Sequence, residues 1–248
     1  MRVLLMIGLL LQVPFPGPGR RSFGSSAPTI TASSAVCVNN ASAATTNCTL
    51  GGSGVVGDLL ILISKSSSTV NTSTVAFTFS GTASCTPTAI IAPGAATFQL
   101  NGSGHFITAI SGCIITTTGA NIPVATWTGA DGTFTDIEAI AFHTTNTWNS
   151  SFTDQTATNI QATTSTSCST GTTSATANAN DLVIAVCQVF NAGQTWGALA
   201  GFTQQSSASR NTTGFYWKPV TSTGTQTATI PLSTTDFGLG FIVALKSN

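Results

Sequence analysis

Two short apolar runs organise the hydrophobic pattern of this chain. Gly57-Asp-Leu-Leu-Ile-Leu-Ile-Ser-Lys65 and Asn180-Asp-Leu-Val-Ile-Ala-Val-Cys-Gln-Val-Phe190 share one plan, a turn residue, an Asp, then unbroken apolar positions. Runs this short and this rich in Val and Ile read as strands buried on both faces. The segments downstream of each run also match. Gly119-Ala-Asn-Ile-Pro-Val124 and Ile137–Phe142 come after the first, and Gly224–Leu232 and Gly240–Leu245 come after the second. Elsewhere the period is two. Val75, Phe77 and Phe79 alternate with polar or small residues, as in a half-buried strand. Asn101-Gly102 and Asp131-Gly132 are hairpin-turn signals. Helical periodicity is absent after Val13.

These patterns predict an all-β fold, an antiparallel β-sandwich, jelly-roll-like, with an internal pseudo-repeat. The expected domain is 22–248, one sandwich built from two related halves at about 27–145 and 146–248. The Thr/Ser-rich stretch from Thr153 to Asn180 carries period-two positions at Ala157, Asn159 and Gln161. It reads as surface strands and loops rather than a free linker.

Composition narrows the setting. Only 6% of the 248 residues are charged, and the formal net charge is zero. No basic stripe marks a nucleic-acid partner. Met1-Arg2 followed by the apolar run Val3–Val13 and Pro14-Phe-Pro-Gly-Pro-Gly19 predicts a signal peptide over residues 1–21. The run is too short to span a bilayer as a helix. Arg20-Arg21 and the lack of a clean cleavage site leave a mis-assigned start or a non-cleaved anchor as the other readings. An extracellular or cell-surface location is expected, with no membrane span once processed.

Six cysteines agree with that compartment: Cys37, Cys48, Cys85, Cys113, Cys168 and Cys187. None forms a C-x-x-C pair, and with only two histidines a zinc site has little support. Pairing between neighbours, Cys37–Cys48, Cys85–Cys113 and Cys168–Cys187, would staple local strand connections. Buried free thiols are the other reading.

Further residues resemble a known pattern. Asp181–Val186, Gly201–Thr203, Phe215–Lys218, Thr223–Ile230 and Ala244–Lys246 occur together here. The set, spanning about residues 55–248, resembles secreted β-sandwich modules of bacterial exported proteins and phage tail-fibre proteins, laminin-G-like or jelly-roll. The resemblance implies a non-catalytic module and carries over no functional residue.

Candidate chemistry is sparse. Asp136 and Glu138, two apart on a predicted strand, share a face. A retaining glycosidase needs such a carboxylate pair, but the sandwich-glucanase pattern Glu-x-Asp-x-x-Glu is broken here. The plainer reading is a turn-capping Asp beside a surface Glu. With Asp131 the pair could instead hold calcium. His105 and His143 are the only histidines, so a Ser-His-Asp triad is not excluded by counting alone. Trp196, Trp127 and Tyr216 are the ligand candidates, because exposed aromatic faces stack on sugars. Core packing is their other reading. Sequons stand at Asn40, Asn47, Asn71, Asn101, Asn149 and Asn211.

The expected function is a non-enzymatic exported module with a structural or adhesive surface role. A phage tail-fibre or virion component and a carbohydrate-binding module are the alternatives. Glycans or other surface proteins are the expected partners, and homo-oligomers are compatible with the sequence.

Overall fold

The computed structural model of the chain describes residues 29–34, 37–41, 43–51, 53–68, 74–93, 97–100, 104–128, 135–191, 193–205 and 212–248. The expected signal peptide, Asp131 and the two hairpin turns Asn101-Gly102 and Asp131-Gly132 lie outside the described residues. Strands occur in chain order as β1 (Ile30–Ala32), β2 (Cys37–Ala41), β3 (Thr45–Asn47), β4 (Ser53–Gly54), β5 (Leu59–Ser68) and β6 (Thr74–Phe79). Next come β7 (Thr88–Ile91), β8 (Thr97–Leu100), β9 (Gly104–Ile114), β10 (Gly119–Ala120), β11 (Pro123–Thr128) and β12 (Thr135–Thr144). The chain ends with β13 (Trp148–Thr172), β14 (Asp181–Val189), β15 (Thr203–Gln205), β16 (Thr213–Pro219) and β17 (Thr227–Ser247).

The two apolar runs are β5 and β14, and each is the middle strand of a large antiparallel sheet. One sheet runs β1-β12-β5-β9-β7, with β2 also on β12 and β8 also on β9. The other runs β13-β17-β14-β16-β15. In both, an edge strand comes first in the chain, then the centre, then the far edge, and two later strands fill the gaps. The fold is thus an all-β sandwich in which each large sheet is completed within its own half of the chain.

Burial on both faces explains the unbroken runs. Along β5, Leu59, Ile61 and Ile63 face the other large sheet, where they meet Leu182, Ile184 and Val186 of β14 in one core. Phe142 of β12 packs edge-on against Trp217 of β16 across that seam, with ring centroids 5.4 Å apart. Leu60 and Leu62 point the opposite way, into a second core with Ile137, Ala139 and Ala125. The small sheet β3-β11-β6 covers this outer face.

The second half builds its cover differently. β13 and β17 are too long for one sheet, and their pairing breaks register between Gln161 and Ser165 and again before Ser167. Beyond the breaks the β13–β17 pair lies back over the sheet, so Cys168, Ala228, Ile230 and Leu232 bury Val183, Ala185 and Ile242. Such bulges bend and twist a strand pair. Two glycines permit the close approach. A Cβ on Gly240 would run into the Ser169 carbonyl oxygen, and one on Gly238 would stand 2.9 Å from Cys168 Sγ. Gly240→Ala is therefore expected to cost about 3 kcal/mol, an overpacking penalty against backbone that cannot yield. Gly51→Ala, where a Cβ meets nothing within 4 Å, is the neutral control. Urea midpoints of the two variants check this; equal midpoints would contradict the close-packed cover.

All three disulfides form as the sequence predicts: Cys37–Cys48, Cys85–Cys113 and Cys168–Cys187. Cys48 and Cys168 lie in the covering layers, while Cys37 and Cys187 lie in the large sheets. Their bridges therefore fasten a cover to its own sheet. Each bridge closes a local loop, a constraint worth about 2–4 kcal/mol. Three such bridges in one chain fit an oxidising compartment.

Candidate functional site

Charged side chains are few, and the fold places most of those among the described residues inside. Asp58, Asp136, Glu138, Asp181 and Asp236 are buried, as is Lys65, while Asp154, Lys218 and Lys246 are half-buried. Among the described residues, no Lys, Arg, Asp or Glu is fully exposed.

Two of these groups meet at one end of the seam between the large sheets, and a third lies on the same face beside them. Lys65 continues the inward parity of Leu59, Ile61 and Ile63, and its register partner on β12 is Asp136. Glu138 lies two residues along on the same face, opposite Ile63. Lys65 Nζ donates to the Val189 carbonyl at 3.1 Å and lies 3.9 Å from Asp136 Oδ2. The Thr212 hydroxyl donates to the same Oδ2 at 3.2 Å. Val189 and Thr212 belong to the second half, so the group ties the halves together. The Phe106 ring lies 5.5 Å from Lys65 Nζ.

This placement corrects the sequence reading of the two acids. They share a face as expected, but that face is the inter-sheet core, not a turn or an open surface. The Lys65 ammonium lies beside Asp136. Among the described residues, no cluster of three or more His, Cys, Asp or Glu is placed to hold a metal. Glu138 is only 3% exposed, so a glycan could not reach it without opening the sandwich.

A second pair of sites lies where the central strands begin. Asp58 stands just before β5, and His143 stands on β12 next to Phe142, the register partner of Leu59. The Ser33 hydroxyl donates to Asp58 Oδ2 at 2.6 Å, and His143 Nδ1 lies 2.8 Å from Oδ1. Ser, His and Asp do come together, yet the serine proton is held by the carboxylate. A nucleophilic serine needs its bond to the imidazole, so this arrangement anchors a strand rather than activating Ser33. Asp181 occupies the equivalent corner of the second half, opposite Lys246 of β17 in the ladder. Here the third group is a second carboxylate, Asp154. Asp181 is wholly buried, and neither of its oxygens accepts a hydrogen bond from a donor. Burial pushes its carboxyl up to about 7, the charge of Asp154 and a shared hydrogen bond push the same way, and Lys246 partly opposes them.

The aromatic candidates are interior. Trp127 is 2% exposed and its Nε1 donates to Ser64 Oγ at 2.8 Å. The Tyr216 hydroxyl donates to the Gly197 carbonyl at 2.7 Å, and burial raises its pKa to about 12. Trp196 is 8% exposed because its indole lies against Gly214. None of the three offers a ring face to a sugar, so the stacking role expected of them is corrected to core packing. The aromatic the sequence missed is Phe190, 47% exposed at the end of β14 and tilted over Phe106.

A cleft opens at the lateral seam, where edge strand β7 approaches the start of β13. It measures about 290 Å³ and is lined by Thr88, Ala89, Ser150, Ser151, Phe152 and Thr153. Its lining is uncharged and mostly hydroxyl-bearing. Sequence reasoning could not find it, because the two edges belong to different halves. Comparison with family models, with curated proteins and with solved structures finds no match to this chain.

Proposed function

We propose that this chain is an exported, non-enzymatic module with a structural or adhesive role at a surface. The observation that carries the reading is the charge-poor exterior of the described residues. Every described Asp, Glu and Lys is buried or half-buried, and Thr, Ser, Asn and Gln form most of the polar surface. Such a surface has little electrostatic field to steer charged ligands. It also has little charge to keep free molecules apart, which favours association. Three disulfides, two of which fasten a cover to its sheet, support service in an oxidising setting. The matching strand orders of the two halves fit a tandem duplication.

Surface protease treatment and N-terminal sequencing of the native protein test this. The expected result is an accessible chain without residues 1–21 and without free thiols. A cytosolic, thiol-bearing chain would overturn export, and turnover of any β-glucan lost in Asp136→Asn would overturn the non-enzyme reading. A carbohydrate-binding module is the second reading, favoured by the hydroxyl-lined cleft. Glycan-array binding lost on Ser151→Trp would select it.

A further inference from the structure

The ionic group at the seam combines features that an ordinary buried ion pair does not need. The amine and the carboxylate are register partners on adjacent strands, so the backbone itself holds them together. A third ionisable group, Glu138, is fixed on the same face one step along β12. A carbonyl acceptor holds Lys65 Nζ, and a hydroxyl donor sits on one oxygen of Asp136. The other oxygen, Oδ1, is buried and receives no hydrogen bond. Buried polar atoms are seldom left so without a reason.

We propose that Lys65 and Asp136 become joined by an amide bond from Nζ to Cγ, formed in the folded chain with Glu138 carrying the proton. The step needs no outside reagent. Nζ gives up a proton to the Glu138 carboxylate, and its lone pair attacks Cγ. The Thr212 hydroxyl stabilises the charge that develops on Oδ2. The Cγ–Oδ1 bond then breaks. The two protons lost by the ammonium leave with Oδ1 as one water, one of them returned by Glu138. Holding both groups on paired strands removes the entropic barrier of bringing them together. The site is largely buried, which limits the water available for the reverse hydrolysis. Amide formation also discharges an ion pair that is costly to keep out of water.

The product is a covalent rung between β5 and β12, the centre and an inner neighbour of the first large sheet. It differs from the disulfides in two ways. It joins neighbouring strands at the middle of one sheet, where no disulfide lies, and reducing agents cannot open it.

The sequence supplies a direct assay. Lys65 is the only lysine or arginine between Arg21 and Arg210. Trypsin cannot cleave after an amide-linked lysine, and none of the three disulfides joins the segments on either side of Lys65. Intact mass and a denaturing, reducing tryptic digest of purified protein are the measurements. The wild type is expected to be lighter by one water than its disulfide-bonded sequence and to yield segment 22–210 uncut. Lys65→Arg and Asp136→Ala are expected to show the full mass. Glu138→Gln, a near-isosteric change that retains both reacting groups, is expected to keep its disulfides and circular dichroism while the water loss is abolished or slowed at least tenfold. Full mass in the wild type, with a free 22–65 peptide, would overturn the proposal. So would a water loss that persists in Asp136→Ala.

Discussion

From about pH 4 to about pH 7 the wild-type chain is expected to lose stability that Asp181→Asn retains. The cause is the corner where β14 begins. Asp181 is buried without a donor, beside Asp154, and its carboxyl titrates at about 7 in the folded chain against an ordinary value of 3.8. Between these values the folded chain holds a proton that the unfolded chain has released. Raising the pH therefore works against folding across that window, and the contribution is flat below and above it. A shift of this size corresponds to roughly 2–4 kcal/mol at about pH 8, taking about 1.36 kcal/mol per unit and allowing for relaxation of the corner. The direction is opposite to ordinary acid denaturation, in which paired carboxylates lose their charge. Asn keeps the shape, carries no charge, and offers its amide to Asp154. Urea unfolding of both proteins at several pH values checks the claim through their difference. A difference that does not change between about pH 4 and about pH 8 would refute it. Asp154→Asn is expected to recover part of the same stability, since it removes the like charge.

The contrast with Asp58 shows what a sequence can and cannot reveal here. Both aspartates precede a buried run, and the shared pattern correctly marks two equivalent strand starts. Their environments differ because of residues distant in the chain, Ser33 and His143 in one half, Asp154 and Lys246 in the other. The disulfides were legible because each pair closes a short loop around a local connection. The shared face of Asp136 and Glu138 was legible from period two. Its burial was not, because it depends on a second sheet arriving from the other half of the chain. Lys65 carried a usable signal. Inward parity through Leu59, Ile61 and Ile63 points it at the core, where a lysine needs a partner. The tryptophans misled for a related reason. A loop context suggests exposure, but Gly214 removes a side chain and lets the Trp196 indole lie against the sheet.

Neither half is expected to fold alone when residues 22–146 and 147–248 are expressed separately. Some features favour independent halves. Each has its own outer core, its own cover and at least one disulfide. The seam decides the balance. Separation would bare Leu59, Ile61, Ile63, Ile140 and Phe142 on one side. On the other it would bare Leu182, Ile184, Val186, Phe215, Trp217, Phe241, Val243 and Leu245. Leaving even half of these exposed, at about 1.5–3 kcal/mol each, uses up the roughly 5–15 kcal/mol that holds a typical domain folded. It would also lay open one entire apolar face of a large sheet, a route to aggregation. The polar ties from Lys65 to Val189 and from Thr212 to Asp136 cross the same seam and would be lost with it. The intact chain is therefore expected to unfold in a single transition, with near-ultraviolet circular dichroism and tryptophan fluorescence superimposing. The separate halves are expected to be insoluble or to show no near-ultraviolet signal, and co-refolding them is expected to restore it. Two soluble halves, each with dispersed amide resonances and its own sharp transition, would show that the seam is a domain interface rather than a core.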